Sequence, residues 1–377
     1  MSQRQPVRCL FVTSHAHLPQ RVGGSESTTH ELCLALMRSG WQCAVLAGVV
    51  GSRERGRAAR LVRRLVDRAL VADTLMSYPV YRRRHVVASV APVVRRVKPA
   101  VAVVQAGAPV PIVQRLLGLG VPTVLYLHDV EFADLGGPLR AHDRLALVAN
   151  SSFTAARTRE EFGLHPVVVP PLVSPDMYAV QSSRRHVVFV NPHPVKGVDI
   201  AFALAERRRD IPFVFVESWE LAPEYARLCR ARAAALPNVT WRERTLDVRS
   251  IYAEAKLLLV PSQWQEAWGR VVTEAQLSGI PVLASARGGL PEAVGPGGTL
   301  VAPDADLGEW DRALSALWDD AERYATAVRA ALAHSRRPEI QPAAVLARFE
   351  AVVLGHLDRS PLASSGQREP APRAVMP

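Results

Sequence analysis

The sequence predicts an α/β protein built from two doubly wound, Rossmann-like domains that face each other across a cleft. Short apolar segments rich in Val, Ile and Leu alternate with helical patterns, which is typical of parallel sheets covered on both faces. The alternation stops at a proline-rich stretch over residues 165–178 and then restarts, which indicates a linker between two domains. At 377 residues, the chain is long enough for both.

The first domain is predicted over residues 1–170. Helical spacing predicts a helix over 25–38 and another over 112–119. Residues 53–98 have no regular pattern, and we expect a helix and an exposed loop there. The predicted strands share a short, apolar and largely β-branched composition and fall at residues 7–13, 42–47, 101–104, 122–127 and 145–149.

The second domain is predicted over residues 171–342, with helices that include 221–236 and 271–278. Residues 343–359 are apolar at helical spacing and are expected to form a helix that packs back towards the first domain. Residues 360–377, rich in Ser, Pro, Gly and Ala, are expected to be a disordered tail. The strands of this domain are predicted at residues 187–191, 212–217, 238–242, 257–261, 281–284 and 299–301.

The positive charge of the chain is concentrated in its first half. The net charge is +11, and residues 1–170 supply all of it with 22 Lys and Arg against 11 Asp and Glu. Residues 51–98 alone hold 13 basic and 3 acidic residues, which favours an anionic partner such as a phosphorylated acceptor, a membrane surface or a nucleic acid. The alternative is that the basic excess reflects a biased amino-acid composition rather than a functional surface. The chain has 43 Arg and only 3 Lys, which is typical of a genome rich in G and C.

Within this basic stretch, apolar residues alternate with arginines at helical spacing over residues 61–70. That pattern fits peripheral membrane contact, and its alternative is a helix packed on its own domain with Arg outward. We expect no nucleic-acid partner, because no recognition helix or basic stretch with interleaved aromatic residues is present. The absence of a long apolar run and of CxxC spacing predicts a cytoplasmic protein, with the inner membrane face as a second option.

The segment over residues 257–283 is the most informative for function. A strand is predicted to end at Pro261, and a helix to start near residue 268. Glu266 and Glu274, eight residues apart, would lie about 12 Å apart along a helix, which matches the distance from hexose to ribose in a sugar nucleotide. The alternative is a pair of solvated surface glutamates. At the predicted helix start, backbone N–H groups can donate hydrogen bonds to a diphosphate. These groups belong to Ala267, Trp268 and Gly269.

This segment resembles the signature of family 4 of the retaining glycosyltransferases, which have the GT-B fold. The signature is a strand, Pro-Ser, then Glu-x7-Glu around a glycine, and here it comprises Pro261-Ser262, Glu266, Gly269 and Glu274. The resemblance covers roughly residues 7–357. It implies that Glu266 contacts the donor sugar, that Glu274 holds the ribose hydroxyls, and that a hexose moves with retention from a nucleotide-diphosphate donor to an acceptor hydroxyl.

Candidate residues in the first domain agree with the resemblance. Gly23 and Gly24 allow close backbone approach to a phosphate or sugar, although paired glycines also mark tight turns. In the family this loop covers the diphosphate near the acceptor. His128 directly follows the strand over 122–127, and the resemblance implies that it lies against the donor hexose, with Asp129 as a second candidate.

In the second domain, Lys196 precedes a predicted helix and suits charge compensation of a leaving diphosphate. The family usually has an Arg shortly before this Lys, whereas residues 191–196 contain none. His193 and Arg270 are the candidate replacements. Glu243 and Arg244 follow the strand over 238–242, near the nucleobase in the family, with surface solvation as their alternative role.

The predicted catalytic residues are therefore His128, Lys196 and Glu266. We expect a metal-independent transfer without a cofactor, because Asp319-Asp320 is assigned to the surface of an amphipathic helix and no other DxD-like motif is suitably placed. A UDP-sugar is the first expectation for the donor, and the acceptor is undefined, with anionic and lipid-linked molecules as candidates. The alternatives are a non-catalytic sugar-nucleotide-binding relative and a basic nucleic-acid-binding protein.

Overall fold

A computed structural model describes residues 6–49 and 70–359 of the chain. The first half forms an open parallel sheet in the order β3-β2-β1-β4-β5-β6-β7. Its strands are β1 Arg8–Ala16, β2 Gln42–Gly48, β3 Val80–Arg82, β4 Val101–Gln105, β5 Thr123–Leu127, β6 Leu145–Ala149 and β7 Val167–Val168. The helices that connect them are α1 Gly24–Arg38, α2 Val86–Val97, α3 Pro109–Gly118 and α4 Ser152–Phe162.

The second half forms another parallel sheet, in the order β10-β9-β8-β11-β12-β13. Its strands are β8 His186–Val190, β9 Phe213–Val216, β10 Val239–Arg242, β11 Ala255–Val260, β12 Val282–Ser285 and β13 Gly298–Val301. The helices are α5 Pro175–Tyr178, α6 Val198–Arg207, α7 Pro223–Ala234, α8 Arg249–Tyr252, α9 Arg270–Gln276, α10 Leu290–Val294, α11 Leu307–Trp318, α12 Ala321–Ser335 and α13 Pro342–Arg359.

Both sheets have the doubly wound strand order, in which the chain starts at the centre, moves to one edge and returns to build the other. Successive apolar side chains of a strand are buried on opposite faces of the sheet, which explains why helices cover both faces. Cys9 and Phe11 of β1 join one buried cluster, whereas Leu10 and Val12 join another on the opposite face. Because successive side chains point to opposite faces, a fully apolar strand needs two helical layers. The predicted fold class is therefore confirmed.

The predicted strands are all present, with bounds that shift by three residues at most. β3 and β7 were not predicted, since runs of two or three residues are too short to show a periodic pattern. The predicted linker over residues 165–178 contains more regular structure than its sequence indicates. This stretch contains β7 and α5, and its Val169, Leu172 and Val173 are buried, so it packs along both halves of the chain.

Asp319-Asp320 was also misassigned, because no single helix contains both residues. Asp319 ends α11, and Asp320 begins α12 by accepting hydrogen bonds from the backbone N–H groups of Glu322 and Arg323, both at 3.0 Å. The apolar and basic segment over residues 61–70 lies outside the described residues except for its last position, and the expected tail over 360–377 lies wholly outside them. In the described ranges, no helix combines the length and apolarity that a membrane span requires.

The last helix, α13, packs on the first sheet rather than on the second. The Phe349 ring stacks on Phe11 of β1 with centroids 6.4 Å apart, and it lies 6.2 Å from the Tyr126 ring of β5. Val345 and Val353, four residues to either side of Phe349, are buried in the same cluster. The apolar stripe of α13 thus completes one face of the first sheet and returns the end of the chain to its first half.

Phe349→Ala should lower the free energy of unfolding by about 3–5 kcal/mol, because it removes a fully buried ring from this cluster. Leu354→Ala on the same helix is the control, since Leu354 is exposed and its loss should change stability by about 0.5 kcal/mol or less. Chemical denaturation of both variants checks the difference. Equal stability of the two would contradict the packing of α13 described here.

Candidate active site

A cavity of about 890 Å³ lies between the carboxyl ends of the two sheets. Parallel α/β sheets bind ligands at this edge, and the loops that follow the strands supply most of the lining. The first domain contributes the segment after β1 and the loops after β4 and β5, whereas the second contributes the loops after β8, β9 and β11. The cavity is therefore an interdomain cleft.

Lys196 and Glu266 form an ion pair in this cleft. The Lys196 ammonium Nζ lies 2.6 Å from Glu266 Oε1 and 4.7 Å from the centre of the Trp219 ring. The Ser262 hydroxyl donates to the same Glu266 oxygen at 2.9 Å. Gly197, after Lys196, has φ +78°, and any Cβ there would lie 1.9 Å from the Pro261 carbonyl oxygen. The close approach of these two loops therefore requires glycine at position 197.

Glu266 precedes the helix that carries Glu274, as predicted, and this helix starts two residues later than expected. Helix α9 starts at Arg270, after Gly269 with φ +86°, so Glu266 lies in the preceding loop and Glu274 in the helix. The Glu266 carbonyl is held by the Gly289 N–H at 2.6 Å. Both carboxylates still line the cavity, as do residues 267–269. The two glutamates do not have the spacing of about 12 Å along one ideal helix, because Gly269 lies between them outside the helix.

Arg270, a candidate replacement for the family's phosphate contact, has no free N–H group in this structure. Its guanidinium uses all five N–H groups on protein acceptors and is 7% exposed as a residue. The partners are Glu274 Oε1 at 2.9 Å, Thr28 Oγ1 at 3.1 Å, the Leu172 carbonyl at 2.7 Å, the Tyr178 hydroxyl at 2.8 Å and the Glu31 carboxylate. These partners come from α1, the segment between the sheets, α5 and α9, so the arginine ties the two domains together.

The two carboxylates around Arg270 are also held by further donors. Glu31 accepts hydrogen bonds from the Tyr178 hydroxyl and the Ser174 backbone N–H, both at 2.6 Å. Glu274 Oε2 accepts from the Tyr252 hydroxyl at 2.8 Å. Burial raises the pKa of Glu274, and Arg270 opposes that shift. Burial alone would lower the pKa of Arg270, but Tyr178, Glu31 and Glu274 raise it overall, so the guanidinium stays charged.

The glycine loop of the first domain faces the cleft as expected for Gly23 and Gly24. A Cβ at Gly23 would lie 2.5 Å from Glu26 Oε2 and 3.8 Å from the Trp219 indole nitrogen of the second domain. His128 also lines the cavity, with its ring 4.2 Å from that of Tyr126. Burial lowers the pKa of His128 to about 4, so this imidazole is neutral near pH 7.

Three predicted donor contacts do not line the cavity. His193 accepts a hydrogen bond from the Val195 N–H and lies edge-on to the Trp219 ring, with centroids 5.7 Å apart. Glu243 and Arg244 are exposed outside the cleft. Trp219, three residues after β9, lines the cavity, and so do Leu246 and Val248 of the loop after β10. Their positions just beyond strand ends are where parallel α/β sheets bind ligands, but these three residues were not among the predicted contacts.

The described ranges, 6–49 and 70–359, bring together no group of three His, Cys, Asp or Glu side chains that could hold a metal ion. The residues that do converge are a lysine–glutamate pair, a neutral histidine and a second glutamate held by arginine. This arrangement can bind an anion through Lys196 and sugar hydroxyls through the carboxylates.

Two parallel-sheet α/β domains that face each other across a cleft form the GT-B fold. Residues 22–177 match the model of Glycosyltransferase Family 4, and residues 184–320 match that of Glycosyl transferases group 1. Together these matches span most of the chain, which belongs to the family 4 glycosyltransferases. The family resemblance inferred from the sequence is confirmed.

Curated relatives match part of the chain. The D-inositol 3-phosphate glycosyltransferase of Segniliparus rotundus is 31% identical over 237 residues, which cover 55% of this chain and 53% of that protein. The protein of the same name from Corynebacterium aurimucosum is 42% identical over 92 residues, or 24% of this chain and 22% of that protein. This chain thus spans about half the length of the first relative and less of the second.

Solved structures match nearly the whole fold. Anabaena Alr3699/HepE in complex with UDP and glucose has a TM-score of 0.72 at 18% identity, covering 93% of this chain and 100% of that one. Sucrose-phosphate synthase from Thermosynechococcus elongatus has a TM-score of 0.69 at 16% identity, covering 95% and 100%. At these identities the likeness concerns the fold.

Arg270→Met should lower the free energy of unfolding by about 3–5 kcal/mol, because it leaves Glu31 and Glu274 buried without their cation. Arg157→Met is the matched control, since Arg157 pairs with Glu160 on an exposed surface and its loss should cost about 1 kcal/mol or less. Adding Glu31→Leu to Arg270→Met should recover part of the loss. Equal effects of Arg270→Met and the control would contradict the bridging role of Arg270.

Proposed function

We propose that this glycosyltransferase moves a hexose from a UDP-sugar to an acceptor hydroxyl, with retention and without a metal ion. The observation that carries the proposal is the Lys196–Glu266 ion pair, which faces the cleft together with His128. Structural neighbours support the donor class, because Alr3699/HepE has been crystallised with UDP and with UDP-glucose. The cavity of about 890 Å³ has room for a nucleotide sugar and an acceptor.

Lys196 has the charge that a departing diphosphate requires. In the free protein its ammonium is paired with Glu266, and a bound diphosphate would share that ammonium as charge develops on the leaving oxygen. Glu266 would then accept hydrogen bonds from hexose hydroxyls. Each Glu274 oxygen receives one protein donor, and because a carboxylate has about four acceptor sites, it retains capacity for the ribose diol.

Retention follows in this proposal from attack on the face that the diphosphate leaves. The acceptor oxygen bonds to the anomeric carbon as the bond from that carbon to the diphosphate oxygen breaks, and the diphosphate takes the electron pair. The hydroxyl proton passes to the departing diphosphate. The neutral His128 imidazole faces the hexose in this arrangement, where it adds no positive charge beside an electron-poor sugar carbon.

Titration calorimetry with UDP, GDP, dTDP and ADP tests the donor site. UDP should bind most tightly, and Glu274→Gln should weaken it about tenfold, because an amide is a poorer acceptor for the ribose hydroxyls. Lys196→Gln should reduce the rate of UDP release from the UDP-sugar about a hundredfold or more. Lys98→Gln is the matched control, since Lys98 is exposed at the end of α2, and it should leave both measurements unchanged.

A chelator should leave the rate unchanged if the transfer is metal-independent. Loss of activity in the chelator would contradict that part of the proposal, and inversion in the anomeric NMR signal of the product would contradict retention. Absence of binding by all four nucleotides would contradict the donor site itself.

A second candidate function is a non-catalytic sugar-nucleotide-binding protein. It is favoured by the absence of an arginine in residues 191–196, together with the complete use of the Arg270 donors inside the protein. Calorimetric binding of UDP without transfer or hydrolysis of the UDP-sugar would support this alternative. Turnover with any acceptor would exclude it.

A further inference from the structure

Trp219 lies in the cleft beside the ion pair that carries the proposed function. The Lys196 ammonium lies over its ring, with Nζ 4.7 Å from the ring centre, and the same Nζ is 2.6 Å from Glu266 Oε1. Trp219 also faces the first domain, because a Cβ at Gly23 would lie 3.8 Å from the indole nitrogen Nε1. Its side chain therefore stands between the lysine of the second domain and the glycine loop of the first.

The loop after β8 holds Trp219 in this position. The Trp219 backbone N–H donates to Asn191 Oδ1 at 3.2 Å. Asn191 is 6% exposed and has φ +69°, a left-handed conformation that asparagine adopts more readily than most residues. The His193 ring lies edge-on to the Trp219 ring, with centroids 5.7 Å apart. The indole is thus positioned before a ligand binds, which lowers the cost of ordering it.

The indole N–H of Trp219 is a donor that the described part of the chain does not use. An indole nitrogen only donates hydrogen bonds, and Trp219 Nε1 meets no acceptor within residues 6–49 and 70–359. Lys196 gives Glu266 one of its three ammonium N–H groups, so the other two remain for a ligand. A neutral donor and a cationic donor next to each other suit an anion with several oxygen atoms.

The carboxylate of Glu26 also lies near this place, but its charge is balanced. Its Oε2 lies 2.5 Å from the position of an added Cβ at Gly23, and its Oε1 lies 3.5 Å from Arg21 Nε and 3.7 Å from His15 Nδ1. Burial would raise the pKa of Glu26, but His15 and Arg21 lower it overall. The glycine loop therefore presents an ion pair to the cleft rather than an isolated carboxylate.

We propose that Trp219 binds the donor diphosphate: its indole N–H donates a hydrogen bond to one phosphate oxygen while Lys196 contacts another. The inference rests on the proposed transfer from a nucleotide-diphosphate sugar and adds a residue to its donor site. Because the acceptor oxygen is charged, this hydrogen bond is stronger than one between neutral groups. The indole stays neutral, so it leaves the charge balance of the Lys196–Glu266 pair unchanged.

Trp219→Phe tests the contact, because phenylalanine keeps an aromatic ring beside Lys196 and removes the indole N–H. Titration calorimetry measures the affinity for UDP, and displacement of UDP measures the affinity for uridine. The variant should bind UDP about tenfold more weakly and uridine with unchanged affinity. If GDP, dTDP or ADP binds the wild-type protein more tightly than UDP, that diphosphate and its nucleoside are the probes.

Trp318→Phe is the matched control. Trp318 also has a lysine over its ring, with Lys256 Nζ 4.4 Å from the ring centre, but it lies outside the lining of the cleft. This variant should keep the wild-type affinities for UDP and uridine. The melting temperature of each variant without ligand shows that a change in affinity does not arise from loss of folding.

Unchanged affinity for UDP in Trp219→Phe overturns the inference. Equal weakening of UDP and uridine also overturns it, because the tryptophan would then contact the nucleoside instead of the diphosphate. Equal weakening of UDP by Trp318→Phe would assign the effect to packing and contradict a direct contact. If none of the four diphosphates binds the wild-type protein, the proposed donor site fails together with this inference. If the wild-type protein binds and only the Trp219→Phe result differs, the inference alone fails.

Discussion

The arrangement of the two domains depends on the buried guanidinium of Arg270. Its partners include Thr28 and Glu31 of the first domain and Glu274 of the second, so one charge satisfies acceptors on both sides of the cleft. A buried charge of this kind is tolerated because every N–H group is paired. A second interdomain contact, in which Glu292 accepts from the Ser152 backbone N–H at 2.9 Å, holds the other side of the domain junction.

The Arg270 network affects the candidate active site in two ways: it orients the Glu274 carboxylate, and it sets the shape of the cleft. Arg270 and Tyr252 fix the Glu274 carboxylate on α9, while Lys196 and Ser262 fix the Glu266 carboxylate in the preceding loop. Both glutamates are thus oriented before any ligand arrives, which lowers the cost of ordering on binding. Because Arg270 also holds α1, the glycine loop that precedes this helix keeps its distance from the second domain. The donor and acceptor sides of the cleft are consequently set by one network.

The sequence predicted the longer strands of both sheets but not β3, β7 or the contacts between domains. Strands such as Val101–Gln105 are apolar on both faces, so their pattern alone identifies a covered parallel sheet. The positions of Glu266 and Lys196 in the cleft followed from their places after strands. The network around Arg270 was not predicted, because its partner Glu31 is 239 residues away along the chain and no local pattern reveals such a pair.

Hydrogen–deuterium exchange with and without UDP tests whether the donor binds in the interdomain cleft held by Arg270. We expect slower exchange on both sides of the cleft when UDP is bound, at residues 261–276 of the second domain and 23–31 of the first. Exchange in α12, which lies outside the lining of the cleft, should not change. Protection confined to one domain, or absent from both segments while UDP binds, would contradict binding in the interdomain cleft.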